Sequence, residues 1–244
     1  MSGSTPPAET LFRPLYAQVR EALERRLIDG TWVPGEAIPS EIQIARDLGV
    51  SQGTVRKALD EMVADRLVVR RQGRGTFVAE HDTNRALFHF FRLTADDGGR
   101  QLPGSRGVSA KRERASAAAA GALGLQRGAP IIEIVRVRFL GGAPIIGERI
   151  WLPSLHFADF DVAAEIPNNL YAFYETRFQI TVTRAEESLK AVPADAVTAE
   201  RLAVEPGHPL LAIDRRAFTL DERVVEARLS LSRTDAHHSA SVIG

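Results

Sequence analysis

The tetrad Leu48-Gly49-Val50-Ser51 constrains this chain more than any other feature. It separates two short helical patterns within Pro39 to Val78, PSEIQIARDLGVSQGTVRKALDEMVADRLVVRRQGRGTFV. Ile44, Ala45 and Leu48 share one face of the first helix. Gly49 suits the left-handed position that ends a helix, and Ser51 is a good N-cap for the next. In the second helix Val55, Ala58, Leu59, Met62 and Val63 form one apolar stripe. The spacing leaves Gln52, Gly53, Arg56, Lys57 and Asp60 outward. Leu67 to Arg71 and Thr76 to Val78 then read as a hairpin, tipped by Gln72-Gly73-Arg74-Gly75. Arg70, Arg71 and Arg74 are expected to put positive charge at that tip.

A tight turn between two helices, followed by a basic hairpin, implies a winged helix-turn-helix and therefore a partner of double-stranded DNA. The exposed N-terminal end of the second helix holds Ser51, Gln52, Thr54 and Arg56. Arginine pairs bidentately with guanine and glutamine with adenine. A small helical domain with a solvated basic loop is the alternative. Net charge does not decide, because 31 Lys and Arg balance 31 Asp and Glu. The reading rests on where the charges stand.

Pro14-Leu15-Tyr16, Pro34-Gly35, Pro39-Ser40-Glu41, Gly49-Val50-Ser51, Thr54-Val55-Arg56 and Gly73-Arg74-Gly75-Thr76-Phe77-Val78 resemble, in order, the GntR family of bacterial transcription regulators. From the turn, the wing and this resemblance the expected DNA-binding set is Ser40, Glu41, Ser51, Gln52, Thr54, Arg56, Lys57, Arg71, Gly73, Arg74, Gly75 and Thr76. Ile42 and Gln52 stand where the family often has arginine. The mode of binding should therefore carry over, and the operator sequence should not.

The chain is long enough for two domains. We expect a flexible tail over 1–11, the winged helix-turn-helix over 12–79, a polar linker over 80–86 and a second domain over 87–244. In the first, Leu15, Val19, Leu23 and Leu27 form a helix stripe expected to pack on the helix-turn-helix, and Trp32 is a packing residue. There is no cysteine, so disulfides and thiolate chemistry are excluded. No apolar run is long enough to span a membrane. MSGSTPPAET lacks the pattern of a secretory signal, and the cytoplasm is the expected compartment.

The second domain contains an internal repeat. Leu123 to Pro130 matches Leu202 to Pro209, and the strands Ile131 to Phe139 and Leu210 to Phe218 follow, with Arg136 in the register of Arg215. Each copy turns into a second strand, Pro144 to Leu152 or Val224 to Leu231. Leu87 to Leu93, Gly107 to Arg112 and Ile180 to Ala191 read as further strands. Ala115 to Leu123 and Leu170 to Phe178 read as helices. Two hairpins side by side predict an α+β layout, an antiparallel sheet with helices on one face.

Arg136-Val-Arg138, Gly142-Ala-Pro144, Glu148, Leu152-Pro153, Asn169-Leu170-Tyr171, Glu226 and Arg233-Thr-Asp235 resemble the UTRA effector domain of the HutC branch, which shares the chorismate-lyase-like fold. Asn169 stands where a serine is usual and Ser232 where an aromatic is usual. The resemblance implies a one-component regulator, a repressor and homodimer, whose second domain binds a metabolite. The expected effector set is Arg92, Arg136, Arg138, Glu148, Asn169, Tyr171, Glu226 and Arg228, with Arg92 and Arg228 resting on their strands alone. In its strand Arg136 and Arg138 share a face with Ile132 and Ile134, and burying two arginines needs acids or an anionic ligand. Glu148 and Glu226 on the partner strands could supply a structural ion-pair network. The alternative is a carboxylate or phosphate effector, which the resemblance favours.

An enzyme of chorismate-lyase-like fold, or a DNA-binding protein without an effector, are the other readings. The sequence shows no assembled nucleophile. His156, His208, His237 and His238 fall in loops or at the C-terminus, and Lys57, Lys111 and Lys190 sit in no cofactor motif. No catalytic residue, metal site or cofactor is expected.

Overall fold

The computed structural model describes residues 13–65, 67–79, 93–96 and 103–240. The chain divides into two compact units, Met1–Glu80 and His81–Gly244.

In the first unit α1 (Leu15–Ile28), α2 (Glu41–Leu48) and α3 (Gln52–Ala64) precede the hairpin of β1 (Val68–Arg71) and β2 (Gly75–Val78). Each short helix begins as its sequence dictates. Ser40 Oγ accepts from the amide of Gln43, and Ser51 Oγ from that of Thr54. Gly49 is left-handed and closes α2. Ile44, Val55, Ala58, Leu59 and Met62 are buried, and α1 adds Val19 and Leu23. Leu15 does not join them, being 53% exposed at the first residue of α1. Trp32 is buried under the Arg26 guanidinium. The stretch 35–38 runs beside β2, where Ile38 N donates to Thr76 O at 2.9 Å and Val78 N to Glu36 O at 2.9 Å.

In the second unit a six-stranded antiparallel sheet has the order β4-β5-β6-β9-β8-β7. Its strands are β4 (Gly104–Arg114), β5 (Pro130–Leu140), β6 (Ala143–Pro153), β7 (Arg184–Pro193), β8 (Pro209–Phe218) and β9 (Val224–Arg233). α4 (Ala117–Leu123), α5 (Leu170–Phe178) and α6 (Ala196–Leu202) complete it. The repeat is one strand longer than its sequence signature. β4-α4-β5-β6 is followed by β7-α6-β8-β9, and the copies meet at the β6–β9 pair, with Arg149 opposite Leu229. The sheet order therefore reads the same from both edges.

The helices do not all lie on one face. α4 packs on Ile131 and Ala227, and α6 on Leu210 and Leu231. α5 packs on the opposite side, over Ile132, Ile134 and Ile150, together with Phe157 and Phe160. The cause is in β5, whose residues 134–138 are all buried. A strand covered on both sides loses the alternation that marks a half-exposed one. Nor does a strand begin at Ile180. Ile180 and Val182 leave α5 as core residues, and β7 starts at Arg184.

A small separate ladder pairs β3 (Leu93–Ala95) with β10 (His237–Ser239). His237 and His238, placed by the sequence in loops or at the C-terminus, are in a strand, and His238 Nδ1 lies 2.9 Å from Asp96 Oδ1. Leu93 is buried against Ile145 and Ile146. The expected strand at 87–92, the linker at 80–86 and Arg92 lie outside the described residues.

Candidate functional site

Two places collect the predicted residues, one in each unit. The first is the exposed face where α2, α3 and β1 meet. Glu41 opens α2, and its carboxylate gathers side chains from the other two elements. Oε2 accepts from Gln52 Nε2 at 3.2 Å and from Arg56 Nε and NH2, each at 3.0 Å. Oε1 accepts from Arg70 NH2 at 3.2 Å, and Arg70 NH1 lies 2.5 Å from Asp60. Arg70 is therefore turned back onto the helices, not placed at the hairpin tip. Two acids within reach outweigh the open solvent of the tip for a charged side chain.

Ser40 and Ser51 serve as caps, and the Thr54 hydroxyl lies 2.8 Å from Ser51 Oγ. Lys57 points toward α1, its ammonium 3.8 Å from the Tyr16 ring centroid. In the wing Gly73 and Gly75 both have positive φ, at 69° and 109°. This allows the tight turn that a side chain would strain. The Arg71 and Arg74 guanidinium groups lie over the Phe77 ring at 4.4 and 5.9 Å, and the hairpin pairs Arg70 with Thr76.

The second place is the face of the large sheet under α5. Directly opposed residues of antiparallel neighbours point the same way, so the register lays out rows. One row is Gly107, Arg136, Glu148 and Ser230. The next is Ser105, Arg138, Ile146 and Ser232. A third contains Ile150, Arg228, Arg215 and Glu187. Gly107 leaves room for the loop that precedes α5, since a Cβ there would lie 2.8 Å from Ile166 Cδ1.

That loop brings Pro167 and Asn168 over the arginines. Arg136 is 1% exposed. Its Nε pairs with Glu148 Oε2, and its NH1 donates to the carbonyls of Pro167 and Asn168 at 3.2 and 3.1 Å. Arg228 bridges both acids, reaching Glu148 Oε1 at 3.1 Å and Glu226 Oε1 and Oε2 at 2.9 and 2.8 Å. Glu226 also accepts from Tyr174 at 2.7 Å and Tyr171 at 3.2 Å. Arg215 holds Glu187, with Nε at 2.7 Å from Oε1. Arg138 NH2 donates to Asn168 Oδ1 at 3.3 Å.

The electrostatics follow from burial and pairing. Burial alone would raise the Glu148 carboxyl, but Arg136, Arg228 and Arg138 outweigh it and hold the group well below the usual carboxylate range. Burial beside Glu226 pushes the Tyr171 hydroxyl up to about 12, and raises Tyr174 well above its ordinary value. Arg138 moves the other way. Burial, with Arg136, Arg228 and Arg215 nearby, pulls it down to about 9 in spite of Glu148. Desolvation and like charges thus outweigh the one attraction that Glu148 offers. In its row the buried hydroxyls of Ser105 and Ser232 have no hydrogen-bond partner among the described residues.

Of the expected effector set, Arg136, Arg138, Glu148, Tyr171, Glu226 and Arg228 thus come together. Glu226 sits beside Arg228 on its own strand and so balances that residue, not Arg136 or Arg138. Asn169 caps α5, accepting from the amide of Ala172 at 3.2 Å, and its neighbour Asn168 is the one over the arginines. Asn168, Tyr174, Ser105 and Glu187 were missed. Only the repeat signalled Arg215, through its register with Arg136. Among the described residues no three His, Cys, Asp or Glu are grouped to hold a metal, and no helix is long and apolar enough to cross a membrane.

Both units match known protein families. The family of bacterial regulatory proteins of the gntR type matches residues 15–78, and the UTRA domain family matches residues 98–238. The histidine utilization repressor of Pseudomonas putida is 31% identical over 237 residues, covering 92% of this chain and 93% of its own. The HTH-type transcriptional repressor NagR of Bacillus subtilis is 30% identical over 230 residues, covering 92% of each. Among solved structures, the ligand-binding domain of a GntR-family transcriptional regulator from Bordetella bronchiseptica is 35% identical. It covers 64% of this chain and 98% of its own, at a TM-score of 0.60.

Proposed function

The chain belongs to the gntR family of bacterial regulatory proteins and carries a UTRA domain, and from that premise we propose that it is a dimeric repressor released from or fixed on its operator by a small anion. The observation that carries the anion is the Arg138 row. A buried guanidinium whose charge is disfavoured, flanked by two buried serine hydroxyls, is an environment that a carboxylate or phosphate would stabilise. In the same row Ile146 stands between Arg138 and Ser232, and Leu93 packs against it. A ligand shifts such an arrangement only to the extent that it binds one state better.

Two reading heads suit two half-sites, which favours a dimer. A thermal-shift screen of carboxylates, phosphates and neutral sugars on the intact chain tests the effector class, and a neutral or cationic effector would overturn the anion. Sedimentation with and without a selected operator tests the dimer.

On the DNA side Arg56→Ala should weaken operator binding by about 1–3 kcal/mol if the guanidinium reads guanine. Unchanged binding in a gel-shift titration would remove Arg56 from the interface. Gln52→Arg should change which sequence is preferred while leaving binding intact. The two proteins enriching the same motif in parallel selections would count against a reading role for Gln52.

A further inference from the structure

We propose that Glu41 is a positioning residue that sets sequence discrimination by holding the reading side chains of α3 in place. Glu41 already stood among the expected DNA contacts. The inference, which rests on the DNA-binding reading above, is that it works through Arg56 and Gln52.

Three observations support it. First, donors from two other elements converge on one carboxylate. Gln52 and Arg56 come from α3 and Arg70 from β1. Second, the acid is the shielded member, with its side chain 19% exposed against 59% for Arg56 and 43% for Arg70. Third, Arg56 is gripped by the Nε–NH2 side of its guanidinium. The NH1–NH2 end is the edge left to meet a base, in a plane that Glu41 fixes. An arginine held in this way loses little freedom on forming a bidentate contact.

Stability does not explain the arrangement, because ion pairs this exposed contribute little to folding. Nor does affinity. A carboxylate on a face that meets phosphates opposes binding to every sequence. An acid that weakens all binding while orienting the base-reading groups gains discrimination, since the non-specific competitor loses more than the operator. Ile42, half exposed beside Glu41, adds no charge to offset it.

The test uses the full chain, the duplex enriched by selection with the wild-type protein and a scrambled duplex of equal length and composition. Glu41→Gln removes the charge at nearly constant shape. Its affinity for the scrambled duplex should rise several-fold, and the slope of log affinity against log salt should steepen by about 0.9, one additional phosphate contact's worth. The ratio of operator to scrambled affinity should fall about tenfold, part of what one bidentate base contact supplies. In an Arg56→Ala/Gln52→Ala background the same change should cost no further discrimination, because the residue acts through those two side chains. A variant that melts like wild type and keeps its discrimination overturns the proposal, as does an equal further loss in the Arg56→Ala/Gln52→Ala background. If the wild-type chain enriches no sequence at all, the DNA-binding reading fails as well.

Discussion

Replacing Arg228 by methionine is expected to lower the stability of the C-terminal unit by about 3–5 kcal/mol. The guanidinium is 6% exposed and is shared by Glu148 and Glu226, which are 5% and 0% exposed. Removing it leaves Glu226, among the described residues, facing tyrosine hydroxyls, and Glu148 dependent on Arg136. The cost is that of stranding charge in a low-dielectric interior, not the net worth of the pair. The double variant Arg228→Met/Glu226→Gln should therefore recover much of the loss. Urea unfolding read from Trp151, in a Trp32→Phe background, isolates this unit. An unchanged midpoint would mean that the network contributes no stability.

The same cluster sets the acid limit. Glu148 is held below the usual carboxylate range when folded. Its contribution is fully present above the unfolded value near 4.5 and is lost as pH falls below it. Acid titration of the folded unit should show a decline beginning there, and a shallower decline in Arg228→Met, where the folded Glu148 carboxyl is depressed less. Coincident acid curves for the two proteins would assign the decline to other carboxylates.

The second large effect concerns the anion. Arg138→Met is expected to weaken effector binding by roughly 10–100-fold, the loss of about 1.5–3 kcal/mol that a hydrogen bond to a charged group supplies. The substitution removes a guanidinium already disfavoured by burial, so folding should be spared or improved. Arg136→Met should behave differently. Arg136 holds Glu148 and the carbonyls of Pro167 and Asn168, and its loss should appear first as a lower melting temperature. Calorimetric titration with whichever carboxylate or phosphate the screen returns distinguishes the two. An Arg138→Met protein that folds, binds operator and answers that effector normally would take Arg138 out of the site. Ser232→Ala should weaken the same anion by a smaller factor, since a neutral hydroxyl is the weaker donor.

Much of this molecule was legible as residue order. The turn at Gly49, the caps Ser40 and Ser51 and the stripe from Val55 to Met62 are local devices, and local devices act between neighbours in sequence. The repeat was visible for the same reason, as was the pairing of Arg136 with the strand that carries Glu148, since a hairpin fixes its own register. Sequence also identified the family, through motif pieces in order.

What the tertiary structure alone decided lies across strands and loops distant in the chain. The alternation in β5 disappears because both faces are covered, so nothing in its spacing assigned α5 to the arginine face. Asn168 and not Asn169 meets the arginines, because Asn169 is spent capping the helix and Gly107, about sixty residues earlier, opens the space for the loop. Whether Arg136 was a ligand group or an ion-pair partner could not be read from parity. Parity places a side chain on a face, and only the register of β6 and β9 says which acids share that face. The convergence of Gln52, Arg56 and Arg70 on Glu41 belongs to the same class. Each residue is ordinary on its own element, and the angle between α2, α3 and β1 makes one carboxylate common to all three.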